Sequence, residues 1–219
     1  MLTHTIKEVW RKRNMASVLF LDVQGAFPNV VKEVLIHNMC TRGVPSKYVT
    51  MTELMLMERQ TRLSFDDYLS SHIPITNSNN QRCPLSMMFY AFYNARLLEL
   101  SPPNAQDECQ FGFVDDVALL VTGPTIEDAH QKLKDMMERI GGALEWLASH
   151  NSPFKMKKLT LMNLSHKSRD DTLLTIFNSR TNQVTTINTV NNYRFLGVLF
   201  DSKLRWKAQY ERATQSAEA

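Results

Sequence analysis

The sequence predicts an α+β protein in which helices pack on one face of a mainly antiparallel sheet. Short apolar runs with the length of strands alternate along the chain with segments whose apolar residues recur every three or four positions. Several strand-like segments come in pairs joined by a few polar residues, as antiparallel neighbours do. The 219 residues, 43% of them hydrophobic, are enough to bury a large core in a single domain.

The first third of the chain contains a strand, two helices and a hairpin. Residues 17–23 form an apolar run that is typical of a buried strand. A helical pattern over residues 30–40 follows, and Gly43 marks its end. Ser46 is expected to cap the second helix through its hydroxyl group. Alternating apolar residues between positions 63 and 75 indicate a hairpin.

The middle of the chain begins with a loop and contains a second pair of strands. Residues 76–82 are dense in turn formers and predict a loop. Pro84 is expected in the first turn of a helix that reaches about residue 100, because proline is tolerated there. Residues 108–114 and 117–122 are strand-like. This pair is expected to lie beside the strand at 17–23, and the second face of the sheet is expected to be open to solvent or substrate.

The last third contains a long helix and further hairpins. Thr125 is expected to cap an amphipathic helix that continues to about His150, although the glycines at 141–142 weaken its middle. Residues 176–187 predict a hairpin with a polar tip. Residues 193–201 return to strand-like sequence.

Composition narrows the functional classes. No apolar run reaches the roughly 18 residues that a membrane span requires, and the first residues lack the apolar core of a signal peptide. The three cysteines form neither a zinc pattern nor a disulfide framework. We therefore expect an intracellular protein without a membrane partner. A net charge of +3 permits a polyanionic partner without requiring one.

The most informative residues are three carboxylates attached to apolar strands. Asp22 ends the first strand, and Asp115 and Asp116 separate two others. Adjacent carboxylates repel each other, and a divalent metal such as Mg²⁺ offsets that repulsion because it prefers oxygen ligands. Two simpler interpretations stay open: Asp115 and Asp116 as a solvated hairpin tip, and Asp22 as part of a turn before Gly25.

Five motifs resemble, in order, those of reverse transcriptases. Residues 22–27 (DVQGAF) resemble the first palm motif, and residues 81–86 (QRCPLS) resemble the second, at the head of a helix. Residues 113–116 (FVDD) resemble the aromatic-x-Asp-Asp motif. Trp146 with residues 150–158 is similar to the fourth motif, and residues 193–198 (YRFLGV) resemble the Leu-Gly turn of the primer grip. The sequence is most similar to enzymes of non-LTR retrotransposons of the fungal type.

The resemblance implies roles for the residues around the first and third motifs. Asp22 and Asp115 would hold two Mg²⁺ ions, with Mn²⁺ as the alternative, and Asp116 would complete the acidic site. The backbone carbonyl of Val23 would add a ligand to this metal site. Phe27 would lie under the sugar of the nucleotide and exclude a 2′-hydroxyl group.

The second and fourth motifs supply the remaining roles. Gln81 would contact the incoming nucleotide. Lys158, or Lys157 beside it, would lie near the leaving pyrophosphate as a candidate general acid. Arg82 stands where the family has glycine, which lets the backbone and template approach closely. Its long cationic side chain is therefore expected to obstruct or retune nucleotide binding.

The resemblance also implies a domain organisation. The whole chain, residues 1–219, would be a reverse transcriptase domain fragment, with palm motifs over 18–200 and the start of the thumb connection over 201–219. About sixteen residues precede the first strand, so the expectation is a polymerase palm with incomplete fingers and thumb.

Two functional classes follow from these motifs. The first is an RNA-directed DNA polymerase that uses an RNA template, a DNA primer and deoxynucleoside triphosphates, with weak or no activity in this chain. The alternative is a non-enzymatic palm remnant that binds nucleic acid weakly or not at all. A two-metal nuclease or phosphatase would not need the second motif or the Leu-Gly turn. The sequence does not indicate an oligomeric state.

Overall fold

The computed structural model describes residues 1–76, 83–154, 156–165 and 170–218. In chain order the helices and strands are α1 (Leu2–Arg11), β1 (Met15–Asp22), α2 (Lys32–Thr41), α3 (Ser46–Leu56), β2 (Gln60–Thr61), β3 (Ser64–Phe65), β4 (Tyr68–Leu69), β5 (Ile73–Pro74), α4 (Pro84–Asn94), β6 (Glu108–Phe113), β7 (Asp116–Gly123), α5 (Ile126–Glu138), α6 (Ala143–Ser149), β8 (Thr160–Leu164), β9 (Leu174–Asn178), β10 (Gln183–Ile187), β11 (Asn192–Phe195), β12 (Val198–Asp201) and α7 (Lys207–Glu218). The chain divides into two units, residues 1–23, 96–146 and 154–219 in the first and residues 24–95 and 147–153 in the second.

The first unit is built on a four-stranded antiparallel sheet in the order β6-β7-β1-β8. Strand β1 is central and pairs along its whole length with β7, from Met15 opposite Gly123 to Asp22 opposite Asp116. Its other edge pairs with β8. The predicted pairing of the first strand with the pair around Asp115 and Asp116 is confirmed.

Helix α5 covers one face of this sheet. Alternate residues of a strand point to opposite faces. Ser17 lies on one of these faces, and its hydroxyl group donates a hydrogen bond to Asn163 Oδ1 of β8 at 2.9 Å. His130 Nε2 of α5 lies 2.8 Å from the same oxygen. These contacts place α5 against that face, as predicted.

The opposite face is covered as well, which corrects the expectation of an open face. Val18 and Phe20 of β1 share a buried core with Ile6 of α1 and with Phe195 and Phe200 of the β11–β12 hairpin. Trp10 Nε1 also donates to the carbonyl of Leu164 at 3.2 Å. The burial of each large apolar side chain contributes about 1.5–3 kcal/mol, which is why this amphipathic helix packs on the sheet. Its apolar spacing, at Leu2, Ile6, Val9 and Trp10, was visible in the sequence.

The helix predicted from Thr125 to His150 is divided in two. Thr125 does cap it, since its side chain accepts a hydrogen bond from the Asp128 backbone N–H at 3.1 Å. Helix α5 ends at Glu138, and α6 begins after Gly142. Gly141 has a φ of +75°, a conformation that ends a right-handed helix and that glycine adopts at little cost.

The second unit contains α2, α3, α4 and two short hairpins. The hairpin predicted near residues 63–75 is confirmed as two nested pairs, β2 with β5 and β3 with β4. Ser46 is the first residue of α3, and no side-chain hydrogen bond caps that helix, which corrects the predicted role of Ser46. The Asn38 side chain of α2 donates to the carbonyl groups of Phe92 and Tyr93 in α4, so these two helices are tied together.

Candidate active site

The acidic site lies where β1 ends and β7 begins. Asp22, the last residue of β1, is directly opposite Asp116, the first residue of β7. Residues opposite each other in an antiparallel pair have Cα atoms about 4.5–5.5 Å apart and side chains on the same face. The fold therefore brings together two carboxylates that are 94 positions apart in sequence. The sequence analysis assigned Asp115 to the metals beside Asp22 and Asp116 to the completion of the acidic site, and the register places Asp116 opposite Asp22.

Asp115 occupies the turn between β6 and β7. Phe113 pairs with Asp116, so Val114 and Asp115 form a two-residue connection. Val114 has a φ of +57°, which is unfavourable for a β-branched residue and is usually reserved for glycine at the first position of such a turn. Strain of this kind costs about 1–3 kcal/mol and concentrates at functional sites. The turn therefore sets the position of Asp115 at a cost in stability.

The electrostatics of the site reflect three converging carboxylates. Loss of hydration at the strand end raises the pKa of Asp116, and the negative charges of Asp115 and Asp22 raise it further. One ammonium group offsets this repulsion, because Lys158 Nζ lies 3.2 Å from Asp22 Oδ2. The site thus combines excess negative charge with the nearby ammonium group of Lys158.

Lys158 reaches Asp22 because the chain returns to the end of β1. Phe154 forms a bridge with Val23, and the short 3₁₀ turn Met156–Lys158 follows it directly. Trp146 stacks on Phe154 with ring centroids 6.3 Å apart. The fourth motif therefore places Lys158 beside the acidic site. The side chain of Lys157, the alternative to Lys158, lies outside the described part of the structure.

Strand β1 is followed by a turn over residues 24–29, which belongs to the second unit. Gly25 has a φ of +60°, and a Cβ there would lie 2.9 Å from the Asn29 side chain. Asn29 Nδ2 donates to the Gln24 carbonyl at 2.9 Å. Asn29 thus holds this turn. Phe27 is half-buried and contacts Tyr90 of α4, with ring centroids 5.5 Å apart.

The donor chemistry of the site suits Mg²⁺. Within residues 1–76, 83–154, 156–165 and 170–218, no set of three or more His, Cys, Asp or Glu side chains is spaced to hold a metal ion. Mg²⁺ commonly uses one or two carboxylates together with water and substrate phosphates, so a facing pair such as Asp22 and Asp116 fits its requirements. Val23 follows Asp22 directly in the chain, so its backbone carbonyl is a further oxygen next to this pair.

Sequence reasoning missed Tyr193 of β11. Its ring stacks on Phe20 with centroids 4.2 Å apart. Burial raises the pKa of its phenol group, and the charges of Asp116 and Asp22 raise that pKa further. Tyr193 was visible in the fifth motif, but only the sheet brings it to the carboxylates. The remaining predicted site residues, Gln81 and Arg82, lie outside the described residues.

Comparison with known proteins identifies the class to which this fold and site belong. A family model for reverse transcriptase (RNA-dependent DNA polymerase) matches residues 1–200. The chain therefore belongs to the reverse transcriptase family. No curated protein matches it in sequence.

Among solved structures, the fold is similar to that of telomerase. Apo telomerase from Candida tropicalis matches with a TM-score of 0.61 and 9% identity, covering 92% of this chain and 34% of that one. The same protein truncated from its C-terminal domain matches with a TM-score of 0.56 and 12% identity, covering 83% and 38%. Its complex with the TWJ fragment of telomeric RNA matches with a TM-score of 0.56 and 11% identity, covering 84% and 32%. The likeness confirms the predicted α+β palm fold, and the chain spans little more than a third of these telomerases.

No helix among the described residues is long and apolar enough to cross a membrane.

Proposed function

We propose that this chain is the palm of an RNA-directed DNA polymerase that joins deoxynucleotides to a primer paired with an RNA template. The observation that carries the proposal is the register that sets Asp22 opposite Asp116 in a chain of the reverse transcriptase family. The RNA dependence of the reverse transcriptase family supports an RNA template, and telomerase, which has a similar fold, forms a complex with a fragment of telomeric RNA. The motif sequence further favours a non-LTR retrotransposon of the fungal type as the parent element.

The acidic residues would bind and orient the reacting groups. Asp22, Asp116 and Asp115, with the Val23 carbonyl, would hold two Mg²⁺ ions or, alternatively, Mn²⁺. Ions bound there would stabilise negative charge on the attacking and leaving oxygens. The carboxylates would orient in-line attack by the primer 3′-hydroxyl oxygen on the α-phosphate, in which the hydroxyl proton passes to solvent, a new bond to phosphorus forms and the bond to pyrophosphate breaks.

Lys158 would act on the leaving group. Its ammonium group lies at the acidic site, where it can donate a proton to the departing pyrophosphate. Phe27 would exclude a 2′-hydroxyl group, and Gln81 would contact the nucleotide. Arg82 would narrow or retune the same pocket, since glycine is usual there in the family.

Primer extension with purified chain tests this proposal. With Mg²⁺ and an RNA template, we expect slow extension at most, and any extension by deoxynucleotides should be abolished by Asp22→Asn and by Asp116→Asn. Asp67→Asn, in the exposed β3–β4 turn, is the matched control and should extend like the unmodified chain. Extension that survives both site substitutions would overturn the proposal.

A non-enzymatic remnant is the second candidate, and Arg82 favours it. A remnant would show no extension even after fusion to the fingers and thumb of a close relative, with or without Arg82→Gly. RNA binding that is indifferent to divalent metal, together with absent extension by that fusion, would identify the remnant.

A further inference from the structure

We propose that Tyr193 is a positioning residue of the acidic site, whose hydroxyl group donates a hydrogen bond to the Asp22–Asp116 pair when these carboxylates bind a divalent metal. The inference rests on the proposed function, because it concerns the same metal site. It adds a residue of the β11–β12 hairpin to that site.

The position of the Tyr193 ring is fixed by β1. Tyr193 stacks on Phe20 with centroids 4.2 Å apart and planes inclined by 24°. Phe195, two residues further along β11, also contacts Phe20, at 5.3 Å between centroids. Phe20 and Asp22 are two residues apart on one strand and therefore share a face. The stack thus joins the hairpin to the face of β1 that carries Asp22.

The Tyr193 hydroxyl group is available as a donor. Tyr193 is half-buried, and no described residue forms a hydrogen bond with its hydroxyl. A tyrosine hydroxyl has an ordinary pKa of about 10, so its O–H group is protonated at neutral pH. The hydroxyl can donate one hydrogen bond, and the carboxylates of Asp22 and Asp116, whose charges help to raise the pKa of this phenol, are acceptors.

The carboxylates need such a donor. In the part of the chain that the structure describes, the Asp116 side chain makes no hydrogen bond, while Asp22 pairs with Lys158. Carboxylates that bind metals are usually held by outer hydrogen bonds, and loss of such a partner typically costs 10–100-fold in metal affinity or activity. Tyr193 would supply that hydrogen bond from an element that holds no ligand.

Calorimetric titration of the full chain with Mn²⁺ tests the inference. Tyr193→Phe keeps the stacked ring and removes only the hydroxyl, so we expect its Mn²⁺ affinity to fall about tenfold or more. Tyr210→Phe, at a 73% exposed tyrosine of α7, should bind like the unmodified chain. Urea unfolding of Tyr193→Phe should match that of the unmodified chain, which separates a lost donor from a damaged fold.

The outcomes distinguish this inference from the proposed function. Equal Mn²⁺ affinity of Tyr193→Phe and the unmodified chain would overturn the role of the hydroxyl and leave the metal site intact. Mn²⁺ binding that Asp22→Asn does not weaken would overturn the metal site, and the role of Tyr193 with it. A loss of affinity in Tyr193→Phe with unchanged stability would support the inference.

Discussion

At the scale of single residues, the contact between Lys158 and Asp22 links two roles of the acidic site. The ammonium group lies 3.2 Å from a carboxylate oxygen that would bind metal. The ammonium group therefore competes with a metal ion for that oxygen, and its positive charge also repels the metal ion. The same residue is the candidate general acid, so its removal should change metal binding and catalysis in opposite directions.

We predict that Lys158→Met strengthens Mn²⁺ binding a few-fold while slowing any primer extension. The gain is small because an exposed ion pair is worth only about 0–1 kcal/mol. Calorimetry and extension rates measure the two effects. Lys7→Met, at an exposed position of α1, is the control and should change neither. Weaker Mn²⁺ binding in Lys158→Met would contradict the competition.

Asp116 gives a pH-dependent prediction. Its pKa is raised in the folded chain, so its charged form is disfavoured by folding. Stability should therefore fall as the pH rises from the ordinary aspartate pKa, about 3.9, through the raised value. Without metal, Asp116→Asn should increase the free energy of unfolding at pH 7, by less than about 1 kcal/mol at this exposed position.

Urea unfolding in the presence of a chelator measures this change. The difference between Asp116→Asn and the unmodified chain should disappear below the ordinary aspartate pKa, where both side chains are neutral. Asp67→Asn should show no such pH-dependent gain. A destabilised Asp116→Asn at pH 7 would mean that its charge is already compensated in the metal-free chain.

At the scale of elements, we expect backbone strain in the β6–β7 turn to lower the free energy of unfolding. Val114→Gly removes the Cβ that is unfavourable at a φ of +57°, and we expect it to stabilise the fold by about 1 kcal/mol. Val184→Gly, on the exposed strand β10, should instead destabilise it by about 0.5–1 kcal/mol. Urea unfolding measures the free energy of unfolding of both variants. An equal loss of stability in Val114→Gly and Val184→Gly would show that Val114 is not strained.

The polar contact between α5 and the sheet gives a second prediction for an element. Asn163 accepts from Ser17 and lies 2.8 Å from His130 Nε2, and all three residues are buried. Asn163→Ala leaves two buried polar groups without their partner, at about 1–3 kcal/mol each. Ser17→Ala removes one donor and should cost less. Thermal unfolding measures both, and equal losses would show that the shared acceptor is not the critical group.

At the scale of the whole molecule, we predict that the 219-residue chain assayed alone extends primers slowly or not at all. Carboxylates and metal do not by themselves position primer, template and triphosphate, and positioning accounts for roughly 7–11 kcal/mol of a barrier. The chain spans 38% or less of the telomerases that it resembles. A rate near that of an intact relative, abolished by Asp115→Ala, would contradict this prediction.

Further variants of the chain separate the causes of low activity. Arg82→Gly alone should not restore extension, because the positioning surfaces stay the same. Fusion to the fingers and thumb of a close relative should restore part of it, and Arg82→Gly should add to that gain. Full activity from Arg82→Gly alone would identify the nucleotide pocket as the single obstacle.

The sequence by itself determined several local elements of this protein and the family to which it belongs. Apolar periodicity and turn residues are local, so they predicted β1, the β6–β7 pair, the β9–β10 hairpin and the Thr125 cap. The resemblance of five motifs, in order, to those of reverse transcriptases predicted the family, which the family match to residues 1–200 confirms.

Only the tertiary structure decided which residues meet. The pairing of Asp22 with Asp116 depends on the register between strands far apart in sequence, and the shift of one position would have selected Asp115. The cover of the second face by α1 and the stack of Tyr193 on Phe20 depend on burial of apolar surface between distant segments. Neither local spacing nor residue type contains that information, because it arises from packing in three dimensions.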